Sequence, residues 1–331
     1  MLMKSKKAFT SVILSVSMLF ILSGCGSQPL SETTASNISL NSQIDIQPEQ
    51  TAKTVVDDLG RSVVIPSKPQ RVLALNSARM EDLFNLGITP VGKVDEYKIR
   101  QEGIDLPSAG SVSNINLETI YQLKPDLIIA HSRHHGIIVE ALEETGCPVY
   151  YFDPVVDKDA SEDDVIMFLA DLLGKKRESE NYLNHINSFA KEYKEKIAAQ
   201  TDIKTAVIIM DGDTITAAQT ASGFGTVLTV LGLANIVPEG LPGSSTSTFV
   251  AFDIETILDK NPDVVLVMAA SNNKEDNQRL LDKYLNDSKW ASLDAVRENK
   301  LTILPFKANP NRATREQMIQ LTAEAILSAA K

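Results

Sequence analysis

Short apolar runs alternate with amphipathic segments along the first half of the chain, a pattern typical of buried strands separated by helices. The predicted elements are a strand at 71–75, helices at 80–86 and 116–123, a strand at 127–130, a helix at 137–144 and a strand at 149–152. Before them, residues 53–66 alternate apolar and polar positions around a glycine, which predicts a hairpin. Strands and helices in this order favour a mostly parallel sheet covered by helices.

A longer amphipathic segment covers residues 178–200. Its apolar residues recur every three or four positions and so form one stripe along a helix. They are Tyr182, Ile186, Phe189, Tyr193 and Ile197. A helix of this length extends for roughly 35 Å, the width of a small domain. We therefore predict a stiff helical connector between two folded parts.

The second half of the chain repeats the first. A strand at 205–210 and a helix at 224–231 follow in the same order as before, and Glu-Thr-Ile followed by Pro-Asp occurs both in residues 117–126 and in residues 254–263. We predict an α/β fold of two pseudo-equivalent lobes with mostly parallel sheets, joined by one long backbone helix. Ligands of such sheets bind outside the carboxyl ends of the strands, so the ligand cleft is expected between the lobes.

The N-terminus has the layout of an export signal. Three lysines precede an apolar run at residues 8–22, and Leu22-Ser23-Gly24-Cys25 resembles the bacterial lipobox, whose cysteine is acylated. The alternative is an uncleaved anchor helix, although the run is short for one. Either way, the rest of the chain is expected outside the cytoplasm, and the lipid on Cys25 is expected to anchor it to the cell membrane.

The predicted organisation has five parts. They are a lipoprotein signal peptide at 1–24, a flexible polar tether at 25–52, an N-terminal lobe at 53–172, the connecting helix at 173–200 and a C-terminal lobe at 201–331. If Cys25 carries lipid, Cys147 has no partner and no disulfide forms. The formal charge of −11 argues against a nucleic-acid partner, and an anionic ligand would need a local basic pocket.

Three segments resemble the helical-backbone solute-binding proteins of ABC importers. These segments are residues 57–72, residues 116–129 and residues 290–301. Members of that family carry ferric siderophores, heme or cobalamin between two lobes joined by a long helix. The resemblance implies that Glu118 and Glu255 dock onto arginines of a dimeric ABC permease. Both glutamates also suit the first turn of a helix, because Asn116 and Asp253 precede them as N-caps.

Candidate ligand contacts follow the predicted strands. His131, Arg133 and His134 come directly after the strand at 127–130. Arg79 and Met80 lie in the loop after the first strand, Tyr97 follows the next apolar segment, and Asn272 and Arg312 follow strands of the second lobe. No metal ligand or cofactor is predicted for the protein itself. If the ligand were heme, His134 or Met80 would be the candidate iron ligand.

We predict a monomeric binding protein that captures a ferric siderophore, with heme as the alternative ligand. Heme is second because residues 268–272 contain no histidine where heme receptors of the family can place one. Cobalamin is disfavoured by the single Trp, and a free metal ion by the lack of histidine in the second lobe. A two-lobed enzyme of chelatase type is also disfavoured, since the chain has no phosphate loop or other catalytic motif.

Overall fold

The computed structural model describes residues 52–152, 161–243 and 247–330. The predicted signal peptide, Cys25 and all of the predicted tether except residue 52 lie outside these residues. Within the three described ranges, no helix is both long enough and apolar enough to cross a membrane. We call the described residues before the long helix the N-lobe and those after it the C-lobe.

The N-lobe is built around a parallel sheet of three strands in the order β3-β6-β7. Two antiparallel pairs, β1-β2 and β4-β5, flank it. The elements are β1 (Lys53–Val56), β2 (Ser62–Ile65), β3 (Val72–Ala74), α1 (Ser77–Asn85), α2 (Gln101–Ile104), β4 (Gly110–Ser111), β5 (Asn114–Ile115), α3 (Leu117–Leu123), β6 (Leu127–His131), α4 (Ser132–His135), α5 (Val139–Glu143), β7 (Val149–Phe152) and α6 (Glu162–Leu173).

Both faces of this sheet are buried, which explains why its strands are continuous apolar runs. Ile129 and Tyr150 pack into the core beside α1 and α6, whereas Ile128 and Tyr151 face the core beside α3 and α5. Because side chains of a strand alternate between the two faces, every position of β6 from 127 to 130 must be apolar. The predicted hairpin and buried strands are confirmed.

The long connector is α7 (Lys176–Gln200), a helix of 25 residues. Ile186 and Ile197 are buried on its inner side, and the predicted aromatic positions are half-buried along the same stripe. Tyr182 packs against the main cores of both lobes. The predicted long helix between two sheets is confirmed.

The C-lobe contains six strands, five of them in the order β11-β9-β8-β12-β13, with β10 paired to β8. Strands β8, β10, β12 and β13 are parallel, and β9 and β11 add antiparallel pairs. The elements are β8 (Thr205–Met210), β9 (Thr216–Ala218), α8 (Gly223–Val230), β10 (Ala234–Asn235), β11 (Phe249–Ala251), α9 (Ile254–Lys260), β12 (Val264–Met268), α10 (Lys274–Leu285), α11 (Asp294–Arg297), β13 (Leu301–Leu304) and α12 (Arg315–Ala329).

The sequence repeat corresponds to a repeated structural unit. Helices α3 and α9 have N-caps, Asn116 and Asp253, whose side chains accept hydrogen bonds from the third helical residue. The isoleucines of the two Glu-Thr-Ile segments, Ile120 and Ile257, are both fully buried. Asp126 accepts backbone N–H groups of residues 70 and 71, and Asp263 accepts those of residues 204 and 205. Each aspartate therefore ties its own strand to the start of the neighbouring strand.

Two local predictions were wrong. The first helix begins at Ser77 rather than at 80, because the Asn76 side chain caps it by accepting the Arg79 N–H at 2.8 Å. Arg79 and Met80 consequently lie in a helix and not in a loop. The helix predicted at 137–144 is α-helical only at residues 139–143, and the histidine cluster before it forms the short helix α4.

Candidate ligand-binding cleft

Two neighbouring cavities lie between the lobes, on the side where the parallel strands of both sheets end. The outer cavity has a volume of about 500 Å³ and the inner cavity one of about 340 Å³. Ile99 lines both, so the two are adjacent. The outer cavity is lined by Lys98, Ile99, Asn272, Phe306, Lys307, Arg312, Gln317, Gln320 and Leu321.

The outer cavity is positively charged. Lys98 comes from the N-lobe, while Lys307 and Arg312 come from the loop between β13 and α12. Throughout the part of the chain that the structure describes, none of the three forms an ion pair. The Arg312 guanidinium stacks over the Phe306 ring at 4.7 Å from its centroid. Among the residues that the structure describes, no carboxylate lines this cavity to compensate the three charges.

Two of the predicted contact residues, Asn272 and Arg312, line this outer cavity. Both side chains are exposed and belong to loops that follow the carboxyl ends of β12 and β13. Lys98 and Lys307 were not predicted, although each lies within a few residues of a predicted contact. The signal that identifies them is the grouping of cations from separate loops, which requires the topology to be known.

Arg79, a third predicted contact, lines the inner cavity instead. Its Nε lies 2.8 Å from an Asp82 carboxylate oxygen, and its guanidinium stacks over Phe152 at 4.5 Å. Burial raises the pKa of Asp82 to about 6, although the nearby Arg79 lowers it. The Nη1 atom of Arg79 makes no hydrogen bond to any residue that the structure describes.

The inner cavity also carries an ion pair between the lobes. Arg315, the first residue of α12, contacts the Asp163 carboxylate of α6 at 2.5 Å and Glu162 at 3.8 Å. Burial acts to lower the pKa of Arg315, but the hydrogen bond to Asp163 and the surrounding negative charges raise it overall. Arg315 thus stays charged and links a C-lobe helix to an N-lobe helix.

Met80 and Tyr97 do not reach either cavity, because both are fully buried in the N-lobe core. The Tyr97 hydroxyl donates a hydrogen bond to Glu81 at 2.8 Å, and Arg100 pairs with the same carboxylate at 2.6 Å. Burial and the Glu81 charge raise the pKa of Tyr97. Met80 lies on the apolar face of α1, which packs against the N-lobe core.

The histidine cluster lines neither cavity. His135, which is buried, accepts the backbone N–H of His131 at its Nδ1 and therefore donates from Nε2 to the carbonyl of Val112 at 2.8 Å. Burial lowers its pKa, which favours the neutral ring. His131 accepts the Arg133 N–H and lies edge-on to the exposed His134 ring at 4.8 Å. These contacts organise α4 at the end of β6.

Iron ligands are not grouped in the described ranges of the chain, where no set of three or more His, Cys, Asp and Glu side chains could hold a metal ion. Cys147 is half-buried, and burial raises the pKa of its thiol to about 12. It lies against the β1-β2 hairpin rather than at the cleft.

Glu118 and Glu255 lie in the first turns of α3 and α9, the two repeated helices. Both are exposed. Glu255 pairs with Lys289 at 2.9 Å, and this hydrogen bond lowers its pKa. Both therefore present a carboxylate at equivalent places on the surfaces of their lobes.

The chain is similar to several proteins that are named for binding or uptake of a ligand. The Fe(3+)-citrate-binding protein YfmC of Bacillus subtilis is 24% identical over 300 residues and covers 87% of each chain. The putative ABC transporter substrate-binding lipoprotein YhfQ of the same organism is 30% identical over 73% of this chain and 78% of its own. The heme uptake protein IsdE of Staphylococcus aureus is 22% identical over 76% of this chain and 85% of its own.

Solved structures share the fold. The siderophore-binding protein FhuD of Vibrio cholerae, bound to Fe3+-Desferal, has a TM-score of 0.63 at 19% identity, over 79% of this chain and 99% of its own. Unliganded FhuD2 of Staphylococcus aureus has a TM-score of 0.66 at 18% identity, over 85% of this chain and 100% of its own. The predicted two-lobed α/β fold is thereby confirmed.

A family model described as periplasmic binding protein matches residues 72–308, most of the chain. The resemblance seen in the sequence is therefore correct, and the chain belongs to this periplasmic binding protein family.

Proposed function

We propose that this protein is the extracytoplasmic binding component of an ABC importer, that it captures a ferric siderophore or a similar iron chelate, and that it has no catalytic activity. The observation that carries the proposal is the outer cavity between the lobes, which is large enough for a small chelate and has polar, cationic walls. Relatives named as binding iron citrate, siderophores and heme support the same class of ligand.

The chemistry of the cavity walls favours iron that arrives already chelated. Ferric iron prefers carboxylate, phenolate or similar oxygen ligands, and heme iron needs an axial His, Met, Cys or Tyr. Within the described part of the chain, none of these residue types lines the outer cavity. A chelate that fills the coordination sphere of its own iron requires only contacts to its periphery, which amides, cations and one aromatic ring provide. Heme is the second candidate, and the missing axial ligand counts against it.

Delivery to a permease is the second part of the proposal. Glu118 and Glu255 stand on equivalent helices of the two lobes, so a dimeric permease with one cationic site per subunit would contact both at once. A monomer tethered by lipid at Cys25 would be held close to that permease. The names of relatives as lipoproteins support this location.

Calorimetric titration of the purified protein tests ligand capture. Ferric citrate, ferrioxamine B and hemin are the probes, each compared with the iron-free form. We expect at least one ferric chelate to bind and hemin to give no Soret shift typical of an axially ligated iron. If no ferric chelate binds, the proposed function is wrong, and a Soret shift would favour heme.

Uptake of radioactive iron by cells tests docking. The double variant Glu118→Ala/Glu255→Ala is expected to lose uptake while it binds the chelate as tightly as the wild type. Glu275→Ala is the matched control, because Glu275 is also an exposed first-turn glutamate. Unchanged uptake in the double variant would refute the docking role.

A further inference from the structure

The outer cavity has a charge opposite to that of the whole protein. The chain has a formal net charge of −11, yet the described residues that line this cavity include three cations and no carboxylate. A cluster of like charges without counter-charges is unfavourable in an empty site, and it becomes favourable when an anion binds. The placement of these side chains therefore indicates a ligand of negative charge.

From this we infer that the ligand is an anionic polycarboxylate chelate of ferric iron, of the hydroxycarboxylate type. The inference rests on the proposed function and specifies its ligand class. Lys98, Lys307 and Arg312 would bind the peripheral carboxylates. Arg312 presents a planar fork that matches a carboxylate in two parallel hydrogen bonds, whereas the two lysines act as point charges.

The uncharged residues of the cavity separate this class from other chelates. Asn272, Gln317 and Gln320 carry amide groups, which can donate to carboxylate oxygens and exchange hydrogen bonds with hydroxyls. In the structure the Gln320 Nε2 donates to Glu324 at 2.8 Å and the Gln317 Oε1 accepts the Thr314 N–H at 3.1 Å, so the ligand would use their remaining hydrogen-bonding groups. Trihydroxamate complexes of ferric iron are neutral or cationic and would leave the three cations uncompensated. Tricatecholate complexes are anionic but present large aromatic faces. Phe306 is the one aromatic side chain among the described lining residues, and it already has Arg312 stacked on it.

The cations also belong to both lobes. Lys98 is on the N-lobe wall and Lys307 with Arg312 on the C-lobe wall, so a polyanion between them would contact both walls. Such a ligand replaces repulsion between the walls with attraction to a common partner. The amide residues alone would not link the lobes in this way, since all three belong to the C-lobe.

Titrations with three chelates of one metal test the inference. The full-length protein is titrated with ferric citrate, with cationic ferrioxamine B and with a ferric tricatecholate, at low and at high ionic strength. We expect ferric citrate to bind at least 10-fold more tightly than the other two. Its affinity should fall as salt increases, since the contacts are charged.

Charge-neutral variants identify the residues. Lys307→Gln and Arg312→Gln are each expected to weaken ferric citrate binding by about 10- to 100-fold, the range for a charged hydrogen bond. Lys98→Gln is expected to act in the same direction. Lys274→Gln, an exposed lysine outside the cavity lining, is the control and should leave the affinity unchanged. All four side chains are exposed, so a matching thermal transition verifies that each variant is folded.

The outcomes separate the two levels of the proposal. Equal or tighter binding of ferrioxamine B or of the tricatecholate, with the three variants unaffected, would refute the polycarboxylate class and leave the chelate-binding function intact. Failure to bind any of the three chelates would refute both. Tight ferric citrate binding that the variants do not weaken would show that these cations are not the ligand contacts.

Discussion

The ion pair between the lobes gives the sharpest prediction for stability. Arg315→Met keeps most of the apolar stem of the side chain but removes the guanidinium that contacts Asp163 at 2.5 Å. The Arg315 side chain is only 17% exposed and Asp163 is 35% exposed. A hydrogen bond to a charged group contributes about 1.5–3 kcal/mol, and the partial exposure of Asp163 favours the lower half of this range.

The loss has a second contribution from the acids left behind. The negative charge of Glu162 acts to raise the pKa of Asp82. Arg315 partly neutralises Glu162, so without Arg315 the repulsion between Glu162 and Asp82 is less compensated. We therefore expect the free energy of unfolding to fall by about 2 kcal/mol. For a chain of this size the corresponding decrease in Tm is roughly 4 °C.

Urea unfolding monitored by circular dichroism measures this loss. Arg279→Met is the matched control, because Arg279 forms a pair with Asp276 in which the two side chains are 74% and 51% exposed. Exposed pairs of this kind contribute at most about 0.5 kcal/mol. If Arg315→Met destabilises the protein no more than Arg279→Met does, the reasoning from burial is refuted.

Three further variants test individual contacts of the fold. Asp82 has a raised pKa in the folded protein, about 6, so the folded state holds this proton more tightly than the unfolded state does. The resulting stabilisation is present at low pH and is lost as the pH rises from about 4 to above 6. Asp82→Asn does not titrate, so its stability relative to the wild type should increase over that interval. Asp263→Ala should lower the free energy of unfolding by about 1–2 kcal/mol, because it leaves the partly buried backbone N–H of Thr205 unpaired. Asp126→Ala should cost less, about 0.5–1 kcal/mol, because the N–H groups of Gln70 and Arg71 are exposed and can bond to water. Gly225→Ala should cost about 1–3 kcal/mol, since an added Cβ would lie 2.3 Å from the carbonyl oxygen of Gln219.

Controls for these variants come from the same chain. Asp213→Ala changes an exposed aspartate and should alter stability by less than about 0.5 kcal/mol. Gly136→Ala places a Cβ in open space at a helical position and should not destabilise. If Asp263→Ala costs no more stability than Asp213→Ala, the role of the Asp263 hydrogen bonds is refuted. If Gly225→Ala costs no more than Gly136→Ala, the close contact at Gly225 is refuted. A pH profile of stability for Asp82→Asn parallel to that of the wild type would refute the raised pKa of Asp82.

Much of the fold follows from local patterns. Strands with both faces buried are continuous apolar runs, and the one-sided stripe of α7 has the helical period, so both were predicted from the sequence. The start of α1 was missed because the prediction relied on apolar spacing and overlooked Asn76, a good N-cap directly after the strand. The short helix α4 was missed because a buried histidine, His135, holds it in place through a carbonyl 23 residues earlier in the chain.

The cleft was predicted less completely, because its walls are assembled from distant loops. Asn272 and Arg312, predicted as contacts from their positions after strands, line the outer cavity, whereas Lys98 and Lys307 became evident only when the cavity brought them together. Tyr97 has suitable chemistry for a ligand, but a carboxylate 16 residues earlier holds its hydroxyl in the core. Residue type and strand position therefore indicate the region of a site, and burial decides which side chains are available.

In the repeated Glu-Thr-Ile and Pro-Asp segments, some positions stabilise the fold and the glutamates contribute little to stability. The isoleucines are buried, and the aspartates after the prolines join neighbouring strands, so these positions are explained by stability alone. A first-turn glutamate contributes only about 0.3–1 kcal/mol through the helix dipole. Glu118 forms no ion pair with any described residue, and the exposed pair of Glu255 with Lys289 is too weak to prevent exchange for another cation. Because stability accounts for little of the glutamate at either place, both carboxylates remain available for the permease contact that we propose.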